Sequence, residues 1–210
     1  LMRSSAASDV YKRQCRNRGY TGNRVIERMS ENSIDIEKHW YAMRDLKRSN
    51  ALLPAYKQLS QAGMEVFTPM VSRVFSRNGK RIRKEVPFMQ DLLFVNDVRQ
   101  NLDLIVAKTP TLQYRFKKGG KYCEPIVIPQ DAMTRFIGAT QASANPKYYA
   151  MDEISDLMCG RNIRMIGGVL DGYEGKLQTI RGSKTKHLII ILPSLLAVSV
   201  EINDEYIELL

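Results

Sequence analysis

Four glycines fall within nine residues of the stretch GGVLDGYEGKL, residues 167–177. Glycines at this density either let backbone amides approach a phosphate or let short strands turn sharply. The phosphate reading fails on spacing. A P-loop needs GxxxxGK[ST], but Gly175-Lys176 is followed by Leu177, so the hydroxyl that would ligate magnesium is missing. A dinucleotide fingerprint needs GxGxxG between a strand and a helix, whereas a β-type run, Lys176–Arg181, follows here. Without a helix N-terminus there is no dipole to hold an anion. The stretch is therefore expected to be a turn, with Gly175 where the next strand starts, placed for positive φ or for close packing of two backbones. Leu170 and Tyr173 are expected at the loop surface as partner contacts, with a Tyr173 tucked over the end of a barrel equally open.

A second stretch could bind anions by charge. VSRVFSR and KRIRKEV flank Asn78-Gly79, a pair that favours the type I′ turn of a two-stranded hairpin. The hairpin carries Arg73, Arg77, Lys80, Arg81, Arg83 and Lys84, with only Glu85 opposing. Such a tip suits a phosphate backbone or an acidic protein surface, and it also suits a solvated edge protected by cations. Other chemistry is sparse. Two histidines and three widely spaced cysteines (Cys15, Cys123, Cys159) give no metal-ligand or disulfide pattern. No paired-carboxylate, Cys/His or Ser/His/Asp arrangement is visible, so no catalytic residue, metal or cofactor is expected.

These segments must be held by a scaffold, and the pattern gives two. His39–Asp45 opens as an apolar run. A helix capped by Ser49 or Asn50 is expected to reach about Ala62, with Leu52, Leu53, Tyr56, Leu59 and Ala62 on one face and Pro54 in its first turn. Met64–Pro69 reads as a strand, Val86–Val95 as a nearly all-apolar one, and Asp97–Ala107 as a helix. A short strand pair is expected around Leu112–Phe116 and Tyr122–Val127, and Pro129 opens a third helix with Met133, Phe136, Ile137 and Thr140 on one side. Strands interleaved with helices predict an α/β sandwich over 37–140. The polar stretch ATQASANPKYYA suggests a linker, set at 141–157. Five short β-type runs in 158–210, without helical period, predict a small barrel.

The net charge of +10 suggests an anionic partner, but half of it lies in residues 1–28. LMRSSAASDVYKRQ lacks apolar periodicity, and its run SSAASDVYKRQ resembles translated adapter sequence. Residues 1–14 are expected to be non-native and 1–36 a disordered leader without an apolar signal-peptide region. The most apolar run, Leu188–Val200, is too short for a membrane span and holds Pro193, so it is expected in a core.

RMIGGVLDGYEGKL (Arg164–Leu177), with the strands after it, resembles a KOW motif, the SH3-like barrel of NusG-type transcription factors and some ribosomal proteins; Gly175 matches its almost obligatory glycine. His39-Trp-Tyr41, the helix to Gly63, MEVFTPM (64–70), the basic hairpin, and Val86-Pro-Phe88 leading to Leu92-Leu-Phe-Val95 resemble the NusG amino-terminal domain in order and spacing. Gln90-Asp91-Leu92 stands where general NusG proteins carry Pro-Gly-Tyr, and the chain is more similar to UpxY-type antiterminators of capsular polysaccharide operons. The resemblance implies an α+β protein, a NusG-type sandwich followed by a KOW barrel. It implies a monomeric cytoplasmic factor that binds RNA polymerase across its cleft and suppresses pausing and termination, or alternatively a general NusG-like elongation factor. Polymerase contact is then expected from Phe88, Met89 and Leu92, with Trp40 and Tyr41 as supporting candidates or core. The hairpin would face upstream or non-template DNA, nascent RNA or the polymerase gate. Leu170 and Tyr173 would engage a ribosomal protein or a termination factor.

Overall fold

The His39–Asp45 run forms strand β1, and its alternate residues point to opposite faces of a sheet. The computed structural model describes residues 37–47, 51–77, 79–117, 119, 124–154, 160–179, 185–202 and 206–210. The leader, Ser49 and Asn50, and all three cysteines lie outside them. After β1 come α1 (Ala55–Gln61), β2 (Glu65–Phe67), β3 (Met70–Arg77), β4 (Lys80–Pro87) and β5 (Leu92–Asp97). Then follow α2 (Arg99–Lys108), β6 (Leu112–Tyr114), β7 (Val127–Ile128) and α3 (Gln130–Ala142). The carboxyl half holds β8 (Lys147–Ala150), β9 (Asn162–Ile166), β10 (Glu174–Thr179), β11 (Lys186–Leu192), β12 (Leu196–Ile202) and β13 (Tyr206–Leu209).

The first sheet is antiparallel, in the order β2-β5-β1-β6, with β7 beside β6 on the same edge of β1. The central strands β1 and β5 are covered on both faces, which is why both read as continuous apolar runs. Tyr41, Met43, Leu93 and Val95 face a core with Leu59 of α1 and Leu102 of α2. Trp40, Ala42, Leu92 and Phe94 face a second core with Met133, Phe136 and Ala139 of α3. Phe136 is fully buried, and cutting such a side chain back to alanine typically costs about 3–5 kcal/mol.

The second sheet is also antiparallel, in the order β13-β9-β10-β11-β12-β8. Its five carboxyl-terminal strands fall where the β-type runs place them, and Pro193 lies in the turn between β11 and β12. The segment expected to be a linker is not bare. α3 continues to Ala142, and β8 pairs with β12 from Lys147↔Ser199 to Ala150↔Leu196. Nor do the two sheets hold separate cores. Leu188, Ile190, Leu196 and Val198 share one apolar cluster with Trp40, Phe94 and Phe136, and residues 37–210 form one compact unit.

The first helix also departs from expectation. It starts at Ala55 rather than near Leu52, because Pro54 holds an extended conformation as the N-cap and offers no side-chain cap. The cap comes from another element. The buried Asp45 carboxylate, at the end of β1, accepts the Ala55 N–H at 2.6 Å and the Lys47 N–H at 3.0 Å. Leu52 is left fully exposed. β6 and β7 pair mainly with β1 instead of with each other, although Ile126 N–H to Arg115 C=O (2.8 Å) and Lys117 N–H to Glu124 C=O (3.0 Å) close a short hairpin beside them.

Candidate functional site

Phe88 and Met89 sit in the turn from β4 to β5. Phe88 N–H donates to Pro69 C=O at 2.8 Å, and Leu92 N–H donates to Met89 C=O at 3.3 Å. Both side chains are half-buried against the core below α3, and the Phe88 ring lies 5.6 Å from that of Tyr148 in β8. Leu92, Trp40 and Tyr41 are not surface residues. Alternation on β1 and β5 points Leu92 and Trp40 under α3 and Tyr41 toward the other helices, leaving each at most 3% exposed. The Trp40 indole N–H is buried with no acceptor among the described residues.

Gln90-Asp91, at the departure from Pro-Gly-Tyr, has a physical role. The Asp91 carboxylate takes Arg44 of β1 at 2.9 Å and Arg115 at 3.0 Å, and its carbonyl accepts the Asp45 N–H at 3.2 Å. Burial pushes the Arg115 pKa down, the Asp91 charge pushes it back up, and the Arg44 charge pushes it down. A single acid between two arginines ties the Phe88–Met89 turn to the sheet. Sequence reading missed the arginines because nothing in Arg44 or Arg115 alone marks them as partners of residue 91.

The hairpin β3–β4 stands as its own two-stranded sheet, in register from Met70↔Pro87 to Arg77↔Lys80. Gly79 takes φ 73°, the positive value its turn requires. Arg73, Lys80, Arg81, Arg83 and Lys84 are exposed, and none is in an ion pair among the described residues. Sequence reading missed its apolar side chains: Val74, Phe75 and Ile82 are 59%, 43% and 41% exposed.

The glycine-rich loop closes on itself. Gly172 N–H donates to Met165 C=O (2.8 Å), Met165 N–H to Tyr173 C=O (2.9 Å) and Tyr173 N–H to Leu170 C=O (3.0 Å). The one anion at Gly167 N–H is internal, the Asp171 carboxylate at 2.6 Å. Arg164, on the incoming strand, is likewise engaged with Glu174 and Glu208. Gly175 is chosen for close approach: a Cβ there would collide with the Ile189 carbonyl of β11. Leu170, expected at the loop surface, is instead 4% exposed because the turn folds it into the shared core. Tyr173 is half-buried, with its ring end over Gly138 of α3. The apolar residues the loop does present are Val169 and Ile166, 78% and 47% exposed.

Comparison with protein-family models matches residues 38–137 to the family described as "Transcription termination factor nusG". Residues 38–137, just under half of the chain, are thus similar to the NusG family domain. No curated protein matches the chain. Among solved structures the chain is similar to one described as "Domain interaction in Thermotoga maritima NusG", at 13% identity and a TM-score of 0.38, over 80% of this chain and 94% of that one. The NusG family match takes in the first sheet, the basic hairpin and the Phe88–Met89 turn, and it ends within α3. The rest of α3, the glycine-rich loop and the second sheet lie beyond it. Among the described residues no helix is long and apolar enough to cross a membrane.

Proposed function

We propose that this protein is a transcription elongation factor that binds RNA polymerase through its NusG family domain and suppresses pausing and termination without chemistry of its own. The observation that carries this reading is the family match over 38–137, which contains both the Phe88–Met89 turn and the hairpin. Phe88 and Met89 are the apolar contacts offered to a polymerase helix, with Leu92 and Trp40 beneath them in the core under α3 and Tyr41 bracing the sheet from its opposite face. By stabilising the closed polymerase that it binds, the factor shifts the enzyme away from paused states. Phe88 packs against Tyr148, so a polymerase helix and the β8 tyrosine compete for one surface.

The sphere of action proposed is specific operons of the capsular polysaccharide type, on the resemblance carried by Gln90-Asp91-Leu92. The alternative is a general factor that couples transcription to translation or termination through a ribosomal protein or termination factor at the loop near Tyr173. In either case the protein acts in the cytoplasm as a monomer. Co-purification of the full chain with core RNA polymerase tests the reading. Retention is expected, with loss in Phe88→Ala and gain in Tyr148→Ala, and failure of the wild-type chain to bind overturns it. Transcript profiles after gene deletion separate a single affected operon from a genome-wide effect.

A further inference from the structure

The turn that presents Phe88 and Met89 is ordered by a side chain. Leu92 N–H closes it on Met89 C=O at 3.3 Å, so Gln90 and Asp91 take its two central positions. Neither is a proline, which would fix φ, and Gln90 is exposed. Asp91 stays out of the left-handed region, which among the described non-glycine residues only Ser194 enters. Backbone bonds join the segment to its neighbours through Phe88 N–H and Pro69 C=O (2.8 Å) and through Asp45 N–H and Asp91 C=O (3.2 Å).

The Asp91 carboxylate adds a stronger hold. Its Oδ2 accepts Arg44 Nε–H at 2.9 Å and meets Arg115 Nη2 at 3.0 Å, both charge-assisted contacts. The two arginines are themselves fixed from behind. Arg44 lies in β1, opposite Leu92 of β5 on one side and Gln113 of β6 on the other. Arg115 donates its backbone N–H to Ala42 C=O (2.9 Å), and its C=O accepts Ile126 N–H (2.8 Å). One carboxylate thus joins the turn to rigid positions on the sheet. Without it the two guanidiniums would face each other as like charges, and the turn would lose its anchor.

We infer that Asp91 is a positioning residue for the polymerase contact: its clasp on Arg44 and Arg115 holds the Phe88–Met89 turn in the conformation a partner helix receives, without Asp91 touching that helix. The inference rests on the reading above, in which that turn is the contact. A turn that is competent only part of the time raises the apparent Kd by the inverse of the competent fraction. Affinity for polymerase is therefore set in part by an ion cluster that lies outside the interface.

The test measures two things on the full chain, the Kd for core RNA polymerase and the amide hydrogen exchange of Leu92, whose N–H closes the turn. Asp91→Asn is expected to weaken binding about fivefold and to speed Leu92 exchange by a similar factor. Adding Gln90→Pro, which pre-sets φ at the first central position, should slow the exchange again and return binding to within about twofold of wild type. Arg115→Gln should give the same loss as Asp91→Asn, and the two together no more than either, the mark of groups that act as one unit. Thermal melts confirm that each variant is folded, and the Arg115 cycle decides if the proline form is not. Unchanged binding in Asp91→Asn, or additive losses in the cycle, overturns the proposal. So does a loss that persists once Gln90→Pro has slowed the exchange, which would make Asp91 a direct contact. A wild-type chain that does not bind polymerase overturns the reading above instead. The exchange measurement then still judges the clasp, which fails if Leu92 exchanges alike in wild type and Asp91→Asn.

Discussion

The glycine-rich loop and the basic hairpin both have the composition of an anion site, and the fold treats them oppositely. In the loop the Gly167 amide is taken by Asp171 and the nearby Arg164 by Glu174 and Glu208. In the hairpin the described cations find no carboxylate among the described residues, and an aromatic ring lies open among them. Donors alone do not make a binding site; it matters whether the chain has already supplied the acceptor. A loop that satisfies itself is architecture, whereas the hairpin leaves its charges to solvent or to a partner.

The largest test of that contrast is Gly175→Val. Its side chain would be driven into the Ile189 carbonyl, and a loss of about 3 kcal/mol is expected, seen as a lowered melting temperature of the whole 37–210 unit. A Gly175→Val chain that melts like wild type would show that the loop is not built on this contact. Tyr173→Ala is expected to cost roughly 2 kcal/mol, since the half-buried ring covers Gly138, and the effect should appear as lowered Tm even without any partner. Asp171→Ala should cost about 1 kcal/mol by freeing the Gly167 amide. Inorganic phosphate should not restore its melting temperature, and a phosphate-dependent rescue would make the loop an anion site after all.

In the hairpin the sign reverses. Lys84→Glu replaces a like-charge pair with an opposite one across from Arg73, so the protein should gain about 0.5 kcal/mol while oligonucleotide binding falls. A rise in both would break the comparison. The smallest effect concerns pH. Burial, with Lys147 nearby, holds the His187 pKa below its ordinary value, against the opposing pull of Glu201. The unfolded chain then binds a proton that the folded chain refuses. Stability is full above about pH 6.5 and declines as pH falls from there toward the lower folded value, by at most about 1.4 kcal/mol per unit. Urea melts at several pH values should show this slope and lose it in His187→Gln.

Much of the scaffold was legible because burial on both faces leaves an unbroken apolar run, as in Leu92–Val95, and Asn-Gly fixes a hairpin locally. Strands β9 to β13 were legible for the same local reasons. The capping of α1 by Asp45 was not, since the partners lie ten residues apart on different elements. Period-two alternation shows that Trp40 and Tyr41 face opposite ways, but it does not say what lies over either. For that reason Trp40 and Tyr41 stayed open between polymerase contact and core, and Leu92 read as a contact; all three sit in the core. Leu170 misled in the same way: its neighbours are glycines and polar residues, and only the path of the turn takes it inward. Val169, one position earlier, is the residue that turn leaves outside.

The shared core has a consequence for synthesis. A nascent chain completes the first sheet at Ile128, yet the side of it bearing Trp40, Ala42 and Phe94 waits for α3, and Phe88 waits for Tyr148 in β8. β8 in turn needs β12, about fifty residues later, before its backbone is paired. Emerging amino end first, the polypeptide therefore carries an unfinished apolar surface until its last strands leave the ribosome. A fragment stopped at the end of the family match, residue 137, would keep that surface permanently and be prone to aggregate.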